Sequence, residues 1–137
     1  MKPILLDTGC VVALLDRSER HHRACVEAVK DLKFPLVTCE AVIAESCYLL
    51  RGLPGAPEAV LTNIEKGIFH MSFRLEDTAG RVKQLLSRYR DVPMDFADAC
   101  LVCLAEELKT GQILTLDKDF QIYRWDSHKC FDFLLTI

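Results

Sequence analysis

The feature that most constrains the fold of this chain is an alternation. Short apolar runs of strand-forming residues are each followed by a longer stretch with helical spacing. Residues 3–7 read as a strand, 9–16 as a short helix and 20–33 as a second helix. Residues 34–38 are then a strand, and 39–51 and 56–66 are helices, the last closed by Gly67 as a C-cap. Strand 68–73, amphipathic helix 76–90, apolar helix 95–109 and strand 112–116 complete the series. The terminal FDFLLTI is expected to close one edge of the sheet. Strands separated by helices need crossover connections, so the pattern predicts an α/β fold with a largely parallel sheet.

A chain of 137 residues suits one compact domain, spanning 1–137. Half of the residues are apolar and about a quarter charged, enough for a proper core under a soluble surface. No apolar run approaches the ~18 residues of a membrane span. MKPILLDTG has neither the apolar stretch nor the cleavage site of a signal peptide. The expectation is a cytoplasmic protein with no membrane contact. The seven cysteines are odd in number and mostly sit in apolar runs. Cys100 and Cys103 form a C-x-x-C, but no second pair or nearby histidine completes a zinc site, so the reading is reduced core thiols. The net charge of −3 does not announce a nucleic-acid binder, but clustered acids that hold cations make a working surface more positive than the formula.

The acids carry the chemistry. ILLDTGC ends an apolar strand on Asp7, and ILTLDKDF does the same on Asp117. In open α/β sheets ligands bind beyond the carboxyl ends of the strands, so two such aspartates on adjacent parallel strands would lie side by side. Alone, Asp7 reads equally as a helix N-cap, and Asp117 and Asp119 as turn residues. Glu45 stands in EAVIAESCYLL, an apolar helix with Ala41, Tyr48 and Leu49 on its face and no basic residue one turn away. It lies either at the mouth of a cleft or buried with a partner. Asp95 and Asp98 share the first turn of an apolar helix, where Asp95 can cap and Asp98 favours the positive helix end. Taken together, clustered carboxylates repel and raise one another's pKa unless a cation lies among them. An all-oxygen set suits Mg²⁺ or Mn²⁺, and such ions hydrolyse phosphodiesters without a covalent nucleophile.

D-T-G near the amino terminus, a glutamate within an apolar helix, D-F-A-D-A opening a late helix and I-L-T-L-D-K-D-F together resemble the PIN-domain family. The resemblance is to its small single-domain members, many of them VapC-type toxins. It covers nearly the whole chain in the right order. It implies a three-layer sandwich, with a central, mainly parallel sheet flanked by helices, and a Mg²⁺- or Mn²⁺-dependent ribonuclease. It carries the four metal-binding acids onto Asp7, Glu45, Asp98 and Asp117. Thr115 falls where relatives often carry a serine or threonine that helps position a water or ligand, and Thr8 is a similar candidate; Asp95 and Asp119 are further candidates beside the four acids. A homodimer and a small antitoxin protein as partner are further implications. Cys10 departs from the pattern, which bears on the loop rather than on the metal set.

For holding RNA, the densest cationic segment is DRSERHHR, with Arg17, Arg20, His21, His22 and Arg23, although a solvated helix face explains it equally. Lys118 adjoins Asp117, and Arg88 and Arg90 precede the helix of Asp98. No exposed aromatic for base stacking is identifiable from sequence. The readings left open are the ribonuclease, a catalytically silent PIN-like module that binds RNA or a partner protein, and a phospho-receiver-like domain. The last fits poorly, because FPLVTCE and IFHMSF end in no phospho-accepting aspartate. An aspartate-nucleophile phosphatase would want D-x-D where the chain has D-T-G.

Overall fold

A computed structural model describes residues 2–33 and 35–136. Its sheet has five parallel strands: β1 (Ile4–Leu6), β2 (Leu36–Thr38), β3 (Phe69–Met71), β4 (Gln112–Leu114) and β7 (Asp132–Phe133), in the order β3-β2-β1-β4-β7. Six α-helices flank it: α1 (Thr8–Leu15), α2 (His22–Lys30), α3 (Glu40–Leu49), α4 (Ala56–Glu65), α5 (Leu75–Arg88) and α6 (Phe96–Leu108). The expected elements are all present within a few residues of their predicted bounds, and FDFLLTI does close an edge, through β7. Phe34, where the second strand was expected to begin, lies outside the described residues, as does Ile137.

The central strands β1 and β2 are buried at every position, which is why they read as unbroken apolar runs rather than as alternating ones. α6 is buried from Ala97 to Ala105 and forms the core helix. Its neighbour α5 is held to it by Arg81, whose Nε and Nη2 donate to the two carboxylate oxygens of Glu106 at 2.9 and 2.8 Å. Cys10, Cys25, Cys39, Cys100 and Cys103 are buried as free thiols, Cys47 is half-buried and Cys130 is exposed.

One region escaped sequence reading. After β4 the chain makes a 3-10 turn, Lys118–Gln121, then a hairpin of β5 (Arg124–Trp125) and β6 (Lys129–Cys130). Asp126 and Ser127 turn it with positive φ, a conformation the dipeptide does not advertise. Trp125 seats the hairpin against the end of β4, its Nε1 donating to the Cys130 carbonyl at 3.2 Å. A side chain at Gly111 would meet that nitrogen at 2.4 Å, so only glycine fits there.

The sheet order sets up the site. From β1 the chain adds β2 and β3 on one side, then returns to add β4 and β7 on the other. The direction of winding therefore reverses between β1 and β4, and a crevice opens at their carboxyl ends. Leu5 pairs with Ile113 and Leu6 with Leu114, and the Asp7 N–H donates to the Leu114 carbonyl at 3.1 Å.

Candidate active site

Asp7, Asp98 and Asp117 converge on that crevice, with one carboxylate oxygen from each lying within 4.8 Å of the others. They arrive on three elements. Asp7 leaves β1 and caps α1, accepting from the Thr8 N–H at 2.8 Å, so the capping and site readings hold together. Asp117 follows β4 and accepts from the Asp119 N–H at 2.9 Å. Asp98 sits in the first turn of α6, whose N-cap Asp95 accepts from the Asp98 N–H at 2.8 Å.

Two hydroxyls fix these carboxylates from behind. Thr115 is fully buried; its Oγ1 donates to Asp7 Oδ2 at 2.6 Å and accepts from the Asp117 N–H at 3.0 Å. One side chain thus sets the spacing of two acids, and its hydroxyl is engaged by protein on both sides. Tyr123, also fully buried, donates to Asp98 Oδ2 at 2.9 Å. Its ring packs edge-on against Tyr89 and Phe120, at centroid distances of 5.2 and 5.0 Å. Tyr123 was absent from the sequence reading. The only signal was a tyrosine in the apolar run after the last acid, and its reach to Asp98 is a tertiary contact across 25 residues.

Among the described residues no cation pairs with the cluster. Burial pushes the Asp7 carboxyl up to about 6, against the opposing hydrogen bonds from Thr115 and the Thr8 N–H; Asp117 and Asp95 push it further. Asp98 rises to about 8, through burial first and then the charges of Asp95 and Asp7. Asp117 is raised as well, chiefly by burial. Burial and the Asp98 charge hold the Tyr123 hydroxyl protonated, and so a donor. The Thr8 hydroxyl is buried on the wall of the same cleft without a hydrogen-bond partner among the described residues. Three hard oxygen donors without a counter-charge, beside an orphaned hydroxyl, fit a divalent cation and its attendant waters.

The cleft encloses about 510 Å³. Glu45 stands on its wall, on α3, as an exposed side chain outside the close trio, so it is at the mouth of the cleft rather than in a buried ion pair. The helix that looked apolar all round is not buried all round, since Tyr48 and Leu49 are exposed as well. Asp95 also lines the cleft, whereas Asp119 contributes its N–H to Asp117. Arg17, Arg20, Arg23 and Lys118 are exposed and have no ion-pair partner among the described residues. From the segment of the three arginines, the residue on the cleft wall is Glu19. His22 is structural, its Nδ1 lying 2.6 Å from the Ala13 carbonyl.

A trio of aspartates at the switch point of a parallel sheet, Asp7 and Asp98 buried and Asp117 half-buried, defines a class of acidic α/β sites whose oxygen donors could hold a cation. The model of the PIN domain matches residues 4–125, and the chain belongs to the PIN-domain family. Ribonuclease VapC26 of Mycobacterium tuberculosis (strain ATCC 25618 / H37Rv) is 30% identical over 117 residues, which are 84% of this chain and 87% of that protein. The crystal structure of Mycobacterium tuberculosis VapC20, described as a toxin that cleaves the sarcin–ricin loop, has the same fold. Its TM-score is 0.79 at 19% identity, covering 87% of this chain and 93% of that one.

Proposed function

We propose that this protein is a divalent-metal-dependent ribonuclease that hydrolyses RNA phosphodiester bonds, the toxin of a toxin–antitoxin pair. The observation that carries the reading is the set of three carboxylates within 4.8 Å at the switch point of the sheet, in a PIN-domain chain. The similarity to a ribonuclease along most of both chains supports the same substrate class.

Asp7, Asp98 and Asp117 would hold Mg²⁺ or Mn²⁺, with Glu45 on the cleft wall as a fourth carboxylate. A bound cation supplies Lewis-acid polarisation of phosphate oxygens and stabilises the charge that develops on them. The protein's own part is orientation. Thr115 locks Asp7 and sets its spacing to Asp117, and Tyr123 fixes the rotation of Asp98. The Thr8 hydroxyl is free to hold a water or a phosphate oxygen. Arg17, Arg20, Arg23 and Lys118 supply cations for flanking phosphates, which offset the repulsion of RNA by the acids. The remaining parts of the reading are a single domain, a cytoplasmic location, a small antitoxin protein as partner and a homodimer. Among the described residues no helix is long and apolar enough to cross a membrane.

The test is incubation of purified protein with a panel of structured RNAs in Mn²⁺, in Mg²⁺ or in excess chelator, with Asp98→Asn purified in parallel. Cleavage that needs metal and disappears in the variant supports the reading. Equal cleavage by both proteins marks a contaminating nuclease and removes the support, and no cleavage by either while RNA is still bound turns the reading toward a silent binding module.

A further inference from the structure

On α3, one turn beyond Glu45, Tyr48 is 61% exposed. The Arg51 guanidinium lies over that ring, its carbon 3.8 Å from the centroid, and its Nη1 donates to the Tyr48 carbonyl at 2.7 Å. Here the charge is held flat against the ring rather than spread into solvent. Arg51 is itself exposed and has no acidic partner within 4 Å among the described residues.

Tyr48 adjoins the cleft wall. Glu45 and Leu49 of the same helix are part of its wall, and residues three and four apart on a helix are surface neighbours. Tyr48 is therefore a surface neighbour of the cleft-wall residue Glu45. We propose that Tyr48 and Arg51 form a subsite for single-stranded RNA, in which an unpaired base stacks on the Tyr48–Arg51 pair and Arg51 contacts the adjoining phosphate. Every base has a π-face, so such a platform holds RNA without reading its sequence. An unpaired cation beside an acidic cleft is where a polyanion gains most from contact with this wall. Arg51 has further N–H donors beyond the one given to the Tyr48 carbonyl, and these point the recognition to phosphate rather than to an apolar protein helix. The inference deepens the ribonuclease reading and names how its substrate is held.

The test measures binding separately from cleavage. Anisotropy of a labelled single-stranded oligoribonucleotide is titrated with Asp98→Asn protein carrying Tyr48→Ala, Tyr48→Phe or Arg51→Gln. The proposal expects Tyr48→Ala to weaken binding about 5- to 150-fold and Tyr48→Phe to retain it. It expects Arg51→Gln to lower the slope of log affinity against log salt by about 0.7, one phosphate contact on a single strand. Tyr48→Ala and Arg51→Gln that bind like the parent, or a parent that does not bind the oligonucleotide, overturn it. If those substitutions instead release a co-purifying protein and leave RNA affinity unchanged, this face belongs to a protein partner and the proposal fails. Metal-dependent cleavage by the chain without these substitutions is assayed alongside. Cleavage with no effect of Tyr48 sinks the subsite alone, whereas Tyr48-dependent binding without cleavage sinks the ribonuclease reading alone.

Discussion

At the scale of single residues, the site consists of acids held where they are costly to ionise and hydroxyls that make the arrangement rigid. Asp7 and Asp98 bind protons more tightly folded than unfolded, at about 6 and about 8 against an ordinary value of 3.8. Between those limits the native state carries more protons than the unfolded chain, so stability falls as pH rises. The metal-free protein is therefore expected to melt at progressively lower temperature from pH 4 to pH 8.5. Asp98→Asn removes the larger contribution, since its amide carries no charge. It should melt above the parent at pH 8 without metal and show a flatter pH profile, while cleavage is lost. Melting curves in chelator across that range check both. Tyr123→Phe leaves the aromatic packing and removes only the donor to Asp98. The expected result is a 10- to 100-fold loss in metal affinity or activity with little change in fold, as for other groups that orient metal ligands. Calorimetric Mn²⁺ titration of this variant and of Thr115→Val measures it.

Elements bring those residues together. Each acid of the trio sits at an element boundary, where a β-strand has just ended or a helix has just begun, so backbone N–H groups and helix ends are available to hold carboxylates. The hairpin of β5 and β6 has a different task. It follows directly from Tyr123, and its Trp125 closes over Gly111 at the foot of β4. Gly111→Ala would set a methyl 2.4 Å from the indole nitrogen, and the rigid ring could yield only by shifting the hairpin. A loss of about 1–3 kcal/mol is expected, read by denaturant melts. Because the hairpin follows directly on Tyr123, its displacement should also lower metal affinity.

For the molecule as a whole, cation binding and stability are one linkage. A ligand that binds only the native state stabilises it by about 2.7 kcal/mol at a hundred times its dissociation constant. For a chain near this size that is roughly 5–10 °C in melting temperature. Protons compete for the same carboxylates, so the shift should be larger at pH 8 than at pH 6. Thermal melts with Mn²⁺ and Mg²⁺ at the two pH values test this, and Asp117→Asn should abolish the difference between them.

The sequence by itself determined the alternation of strands and helices, and with it a parallel sheet, because buried strands must be apolar throughout and helices periodic. It also marked Asp7 and Asp117, since an acid that ends a buried strand has little room to be anything but a cap, a turn or a ligand. Glu45 was legible as an anomaly, but its exposed position on the cleft wall depended on how α3 meets α1 and α6. The tertiary structure alone decided that β1 and β4 are neighbours, which turned two separate strand ends into one site. It alone supplied Tyr123, Thr8 as an orphaned donor and the Tyr48–Arg51 pair. Local patterning governs what each segment becomes. Which side chains meet across a hundred residues is set by the order of strands in the sheet, and no window along the chain contains that order.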